Sequence, residues 1–229
     1  MARQQGVVAR WAGDATARVL GTVFVGLVAL SYVLAGIVHP AMPWLVTNLT
    51  LATVAPVASA FLFACRRRRP GWWLAAGAVL LALPNTPYVL TDIIHFREDR
   101  WIAGAWGVRP WAVPAAYLVV LGVGVCGYAY VLARLVADVR RHHSRPVAAL
   151  AAGVVNAFCA AGVWLGRAQR LNSWDVAHPG LLRGALHHAA SLRALVDMGV
   201  VFVGAGAAAA ALVVIVSRCS RRVAALVRG

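Results

Sequence analysis

Lysine is absent from this sequence of 229 residues, and all 22 of its basic residues are arginine. Charge of the other sign is also scarce, since the chain has only seven acidic residues. Charged residues make up 13% of the chain, against 62% hydrophobic residues. A typical soluble domain has about 25% charged residues. The shortage of charge therefore excludes a soluble globular domain and predicts an integral membrane protein.

The sequence also has few cysteines and lacks common catalytic signatures. Its four cysteines are far apart and form no C-x-x-C motif, so we expect neither a disulfide nor a thiol redox site. No G-x-S-x-G motif, H-E-x-x-H motif or lysine-containing phosphate loop occurs in the chain. These absences exclude the hydrolase classes that carry those signatures.

Long apolar runs indicate the fold class. A helix needs about 20 mostly apolar residues to span a hydrocarbon core of about 30 Å. The runs do not alternate apolar and polar residues, as membrane strands do. We therefore predict an all-α polytopic membrane bundle, a single integral membrane domain over 1–229. Its six transmembrane helices are expected near 19–38, 44–64, 71–95, 112–136, 147–165 and 195–216.

Two prolines interrupt the third predicted helix. Pro84 and Pro87 remove two backbone donors and should free the carbonyl groups of Leu80 and Leu83. We predict that this helix is broken or kinked at the two prolines.

The arginines predict the orientation of the chain. With the N-terminus inside, 15 of the 22 arginines lie in inner segments with two acidic residues, and seven lie in outer segments with five. Positive charge in short loops is retained on the cytoplasmic side. We predict a multi-pass protein of a bacterial cytoplasmic membrane with both termini in the cytoplasm. The expected partners are the lipid bilayer and anionic headgroups at the cytoplasmic face, with no nucleic acid.

A polar face on the third helix is the first candidate for function. Tyr88, Thr91, Asp92 and His95 are spaced i, i+3, i+4 and i+7, which places them on one face of an α-helix. An ionised Asp at membrane depth costs about 2.5 to 3.5 kcal/mol, so Asp92 should have a partner or face a wet cavity.

The end of the fifth helix supplies the expected partners. Arg167 and Arg170 are three residues apart, which predicts one shared helix face, and both helices run outward. If one arginine pairs with Asp92, the other is available for an anionic ligand. The candidate ligand-binding or structural cluster is Asn85, Tyr88, Thr91, Asp92, His95, Arg167, Arg170, Asn172 and Asp175.

Other features have simpler explanations. The segment Asn172-Ser173-Trp174-Asp175 resembles a helix cap. Asp92 and His95 are too few ligands for a metal, so we predict no metal and no cofactor. Residues 97–109 are expected to form a short interfacial loop, and residues 181–193 a surface amphipathic helix that is a candidate lid.

Two separated motifs resemble a family of bacterial membrane proteins, Domain of Unknown Function 1361. The first is Leu83-Pro84-Asn85-Thr86-Pro87-Tyr88 with Thr91, Asp92 and His95, and the second is Gly166-Arg167 with Arg170 and Asn172-Ser173-Trp174-Asp175. The resemblance implies a helical membrane protein and supplies no activity.

Three functions are compatible with the sequence. We expect the chain to bind or move a small or anionic solute or a lipid headgroup. The alternatives are a membrane-embedded enzyme acting on a lipid-linked or envelope substrate, with His95 and Asp92 as an acid-base pair, and a structural or assembly protein whose polar network only packs helices.

Overall fold

The computed structural model describes residues 2–39, 41–64, 70–171, 175, 178–189 and 191–226. Within these ranges the chain is helical and has no strand. The α-helices in chain order are α1 (Ala2–Val38), α2 (Trp44–Ala64), α3 (Pro70–Ala82), α4 (Asn85–Tyr88), α5 (Phe96–Ala105), α6 (Ala112–His142), α7 (Arg145–Ala168), α8 (Pro179–Ala189) and α9 (Leu192–Leu226). A 3-10 helix, Val89–His95, joins α4 to α5.

Six helical segments are long and apolar enough to cross a membrane, which confirms the predicted all-α class and the number of candidate spans. They are Ala15–Val38, Trp44–Ala64, Pro70–Ala105, Ala112–His142, Arg145–Ala168 and Leu192–Val223. Several helices continue beyond the predicted limits, because a helix keeps satisfying its backbone hydrogen bonds where its side chains become polar.

The third segment differs most from its predicted form. Instead of ending at residue 95, it continues through α5, so most of the interfacial loop predicted for residues 97–109 is helical. The turn before α6 begins only at Trp106. The prediction of a loop was wrong because four charged residues in succession suggested a surface connection, although three of them, two arginines and a glutamate, are good helix formers.

The winding of this segment changes near the two prolines. Regular α-helix stops at Ala82 and resumes at Asn85, while Pro84 itself keeps right-handed helical angles, with φ −59° and ψ −27°. The Leu83 carbonyl accepts a hydrogen bond of 3.0 Å from the Thr86 N–H. The prediction that Pro87 leaves this carbonyl free was therefore wrong, because the tighter i to i+3 bond uses it.

Helix α6 lies at the centre of the bundle and packs against α1, α2, α7, α9 and the third segment. Two glycines let neighbouring elements approach closely. A Cβ atom at Gly124 of α6 would lie 2.6 Å from Val89 Cγ2, and one at Gly162 of α7 would lie 2.5 Å from Pro84 Cβ. Because these glycines have no side chains, the stretch from Pro84 to Val89 fits closely between α6 and α7.

Candidate functional site

Arg167, at the end of α7, reaches across to the third segment. Its Nη2 donates hydrogen bonds to Asp92 Oδ1 at 2.5 Å and to Thr91 Oγ1 at 2.6 Å, and its Nε donates to the same Thr91 oxygen at 3.0 Å. Its Nη1 lies 3.2 Å from His95 Nε2. The guanidinium carbon lies 4.6 Å from the centroid of the Tyr88 ring. One arginine therefore contacts all four residues of the predicted polar face.

The 3-10 winding rearranges that face. With three residues per turn, residues spaced by three lie directly above one another. Thr91 then follows Tyr88, and His95 follows Asp92, so the single α-helical face becomes two adjacent rows. Arg167 contacts both rows, because its planar fork of donors can serve several acceptors at once.

Asp92 is buried, and both of its carboxylate oxygens have partners. Its side chain is 3% exposed, against 25% for that of Arg167. The second oxygen, Oδ2, accepts a hydrogen bond of 3.1 Å from Asn48 Nδ2 on α2. The Thr91 hydroxyl also donates to the Tyr88 carbonyl at 2.6 Å. We call Asn48, Thr91, Asp92, His95 and Arg167 the Arg167 network, which joins α2, the 3-10 helix and α7.

The sequence did not point to Asn48. The available signal was an amide side chain in an otherwise apolar membrane helix, since such a group needs a partner.

A second buried carboxylate lies seven residues after Asp92 in the third segment. Asp99 is 5% exposed and accepts a hydrogen bond of 2.6 Å from the Tyr117 hydroxyl of α6. The Trp44 ring lies between this pair and the network, with its centroid 6.4 Å from that of Tyr117 and 6.2 Å from that of His95. Asp99 was not among the predicted site residues, because it lies in the segment that was predicted to be a loop. The signal was its position seven residues after Asp92, on the same face of a continued helix.

A cavity of about 400 Å³ lies beside the Arg167 network, between α2, the third segment and α7. Its polar lining comes from Asn48, Asn85, Tyr88 and Arg170. The larger part of its wall is apolar and includes Leu51, Leu81, Phe158, Leu165 and Leu171. We call it the α2–α7 cavity.

Arg170 does not share a helix face with Arg167. Helix α7 ends at Ala168, and Arg170 has a positive φ of 55°, in the left-handed region. The predicted common face was wrong, because an i, i+3 spacing aligns side chains only while the helix continues. Arg170 is exposed and lines the cavity, and no described residue accepts a hydrogen bond from its guanidinium or forms an ion pair with it.

The remaining predicted residues are only partly placed. Asn85 lines the cavity, and its Nδ2 donates to the Ala82 carbonyl at 3.2 Å. Asp175 is half-buried. Asn172, Ser173 and Trp174, which make up most of the predicted cap, lie outside the described residues. In the described part of the chain, no three His, Cys, Asp or Glu side chains come together as a metal site would require.

The fold and the polar cluster define a class: a helical protein with six segments apolar enough to span a membrane, whose third and fifth segments are joined by an ion pair between a buried Asp and a partly exposed Arg. The chain belongs to the family described as "Protein of unknown function (DUF1361)", whose model matches residues 47–215. That range contains Asn48, the rest of the Arg167 network and the whole lining of the cavity. No curated protein and no solved structure matches the chain.

Proposed function

We propose that this chain is a single integral domain of a bacterial cytoplasmic membrane that binds an anionic group in the α2–α7 cavity. The group belongs to a small solute or to a lipid headgroup and binds toward the outer face. Both termini are cytoplasmic in this proposal, and anionic headgroups associate with the arginines on that side. The activity is binding or movement of this ligand.

The observation that carries the proposal is the different placement of the two arginines. Arg167 directs its donors to Thr91, Asp92 and His95, and its charge is opposed by a buried carboxylate. Arg170 lines the cavity instead. A guanidinium group binds phosphate or carboxylate through paired hydrogen bonds, so Arg170 is the natural partner for an anion in that space.

The other polar groups of the cavity suit the same ligand. Asn48, Asn85 and Tyr88 line it, and none of these side chains carries a negative charge. Few polar groups in a mostly apolar cavity are typical of a binding site that fixes the orientation of its ligand.

The Arg167 network has a different role in this proposal. It holds α2, the third segment and α7 together, and so fixes the walls of the cavity. Asp92 and His95 both face the Arg167 guanidinium, which favours this packing role over an acid-base pair. In this proposal Arg167 has the packing role that the sequence suggested, and Arg170 has the binding role.

The two prolines contribute to the shape of the cavity. We propose that the third segment bends at Pro84 and Pro87, and that the bend leaves the space between α3 and α7. Pro84 lines the cavity and packs directly against Gly162 of α7, which also lines it. Side chains larger than glycine at position 162 would displace the bend.

The proposal is tested by the binding of octyl phosphate to the purified protein in a neutral detergent. A ligand that binds only the folded state raises the unfolding temperature with its concentration. Octyl phosphate should stabilise the wild type and Arg109→Gln, while Arg170→Gln should bind it roughly 10- to 100-fold more weakly, since a charged hydrogen bond contributes about 1.5 to 3 kcal/mol.

Arg109 is the matched control, because it is exposed and lies in the turn between α5 and α6, on the same side of the bundle as the end of α7. Equal loss of binding in Arg109→Gln and Arg170→Gln would show a general effect of charge and contradict a site at Arg170.

A further inference from the structure

The α2–α7 cavity has two chemically different ends. Asn85, Tyr88 and Arg170 supply polar groups near the end of α7. Leu81 and Phe158 line the cavity further from the end of α7. Phe158 and Gly166 are both lining residues and are eight positions apart on α7, which corresponds to about 12 Å along the helix axis. A ligand that fills the cavity therefore needs a polar end and an apolar end.

The apolar end reaches the outer surface of the bundle. Leu81 belongs to α3 and Phe158 to α7, and the two residues are 48% and 41% exposed. Both segments are candidate membrane spans, so this surface faces lipid if the chain spans the bilayer as proposed. The cavity then opens sideways between α3 and α7 toward the hydrocarbon core.

We infer that the ligand is an anionic amphiphile, with a phosphate or carboxylate head at Arg170 and a hydrocarbon chain that leaves the cavity between Leu81 and Phe158. This inference rests on the proposed function and specifies its ligand class. A free solute such as inorganic phosphate has no group to place against the apolar wall. An amphiphile fills that wall and can enter from the bilayer without crossing water.

The inference is tested by comparing inorganic phosphate, butyl phosphate and decyl phosphate as ligands of the full chain in a neutral detergent. Concentrations of the alkyl phosphates are expressed relative to detergent, so that partitioning into micelles does not imitate binding. Decyl phosphate should bind the wild type at least 10-fold more tightly than butyl phosphate, because only the longer chain reaches the apolar end. The measured quantity is this ratio of affinities.

Substitutions along the expected path of the hydrocarbon chain test where decyl phosphate lies. Ala161→Phe places a ring in the lined space, and the ratio should fall to within about 3-fold of one. Val154→Phe adds the same ring to an exposed part of α7 that does not line the cavity, and should keep the ratio of the wild type. If Ala161→Phe does not fold, Phe158→Ala with Leu150→Ala as its control makes the same comparison at exposed positions.

The outcomes separate this inference from the proposed function. A ratio near one in the wild type would overturn the inference of an amphiphile, and so would an unchanged ratio in Ala161→Phe and Phe158→Ala. The anion site would still stand if binding of all three phosphates required Arg170. Failure of all three ligands to bind would overturn the anion site itself.

Discussion

Arg167 donates a hydrogen bond of 2.5 Å to Asp92, a residue 75 positions away in the chain and almost fully buried. The pair joins the end of α7 to the 3-10 helix of the third segment. Because Thr91 and His95 contact the same guanidinium, and Asn48 takes the second oxygen of Asp92, the contact fixes three elements at once. The neighbouring cavity has Arg170 as its positively charged lining residue.

Removal of one partner of this pair should destabilise the protein. Arg167→Gln should lower the free energy of unfolding by about 3 kcal/mol, since an uncompensated charge remains buried at Asp92. Arg141→Gln is the control, because its ion pair with Asp138 is at the surface and should contribute about 1 kcal/mol or less. Denaturant unfolding in detergent measures both. Equal effects of the two substitutions would contradict the structural role of Arg167.

Substitutions at Asn48 test the third member of the network. Asn48→Ala leaves one oxygen of Asp92 without its donor and should cost about 1 to 3 kcal/mol. Asn48→Asp keeps the size of the side chain but places a second carboxylate beside the first, so it should be the more destabilising change. Unfolding curves of the two variants decide the order. If Asn48→Asp were as stable as the wild type, the contact would not be part of the network.

Gly162 should not tolerate even one added methyl group. A Cβ atom there would lie 2.5 Å from Pro84 Cβ, and overpacking of this kind costs about 1 to 3 kcal/mol. Gly153→Ala lies on the same helix with nothing within 4 Å of the new Cβ. That control should be neutral or stabilise by up to about 1 kcal/mol, because alanine favours helix. Thermal unfolding of both alanine variants tests the contact between Gly162 and Pro84. Equal changes of the unfolding temperature in the two variants would contradict it.

The Tyr117 hydroxyl should contribute to stability through Asp99. Tyr117→Phe removes the one described donor to this buried carboxylate and should cost about 1 to 3 kcal/mol. Tyr32→Phe also removes a hydroxyl hydrogen bond, at 2.9 Å from Thr50, but at an exposed position. The unfolding temperature should fall for the first variant and change little for the second. The reverse order would show that Asp99 does not depend on Tyr117.

Apolar length predicted the six spans well, because the hydrocarbon core imposes a minimum number of apolar residues on every helix. The same signal could not predict where each helix ends. Helix α5 carries Arg97, Glu98, Asp99 and Arg100, and its continuation depends on backbone hydrogen bonds and on packing against α6, which hydropathy does not measure.

The candidate site was predictable in part. The cost of burying Asp92 indicated that it needed a partner, and charge complementarity indicated an arginine on the fifth helix. The choice between Arg167 and Arg170 depended on the end of α7 at Ala168, which the spacing alone could not locate. The contacts of Asn48 and Gly162 could be recognised only from the packing of α2 and α7 against the third segment.

The central claim is that Arg170, and not Arg167, holds the anionic group. It is tested most directly by the proximity of ligand phosphorus to arginine nitrogen in solid-state NMR. The probe is an alkyl thiophosphate, whose phosphorus signal is separated from those of the bilayer lipids, bound to protein with ¹⁵N-labelled arginine. A guanidinium that donates to the phosphate oxygen places nitrogen about 4 Å from phosphorus.

We expect this dipolar contact in the wild type and in Arg109→Lys, and its loss in Arg170→Lys, which keeps the charge but not the labelled guanidinium. The unfolding temperature of ligand-free Arg170→Lys should match that of the wild type, since no described residue depends on Arg170. A contact that persists in Arg170→Lys would contradict the account, because another arginine would then hold the ligand.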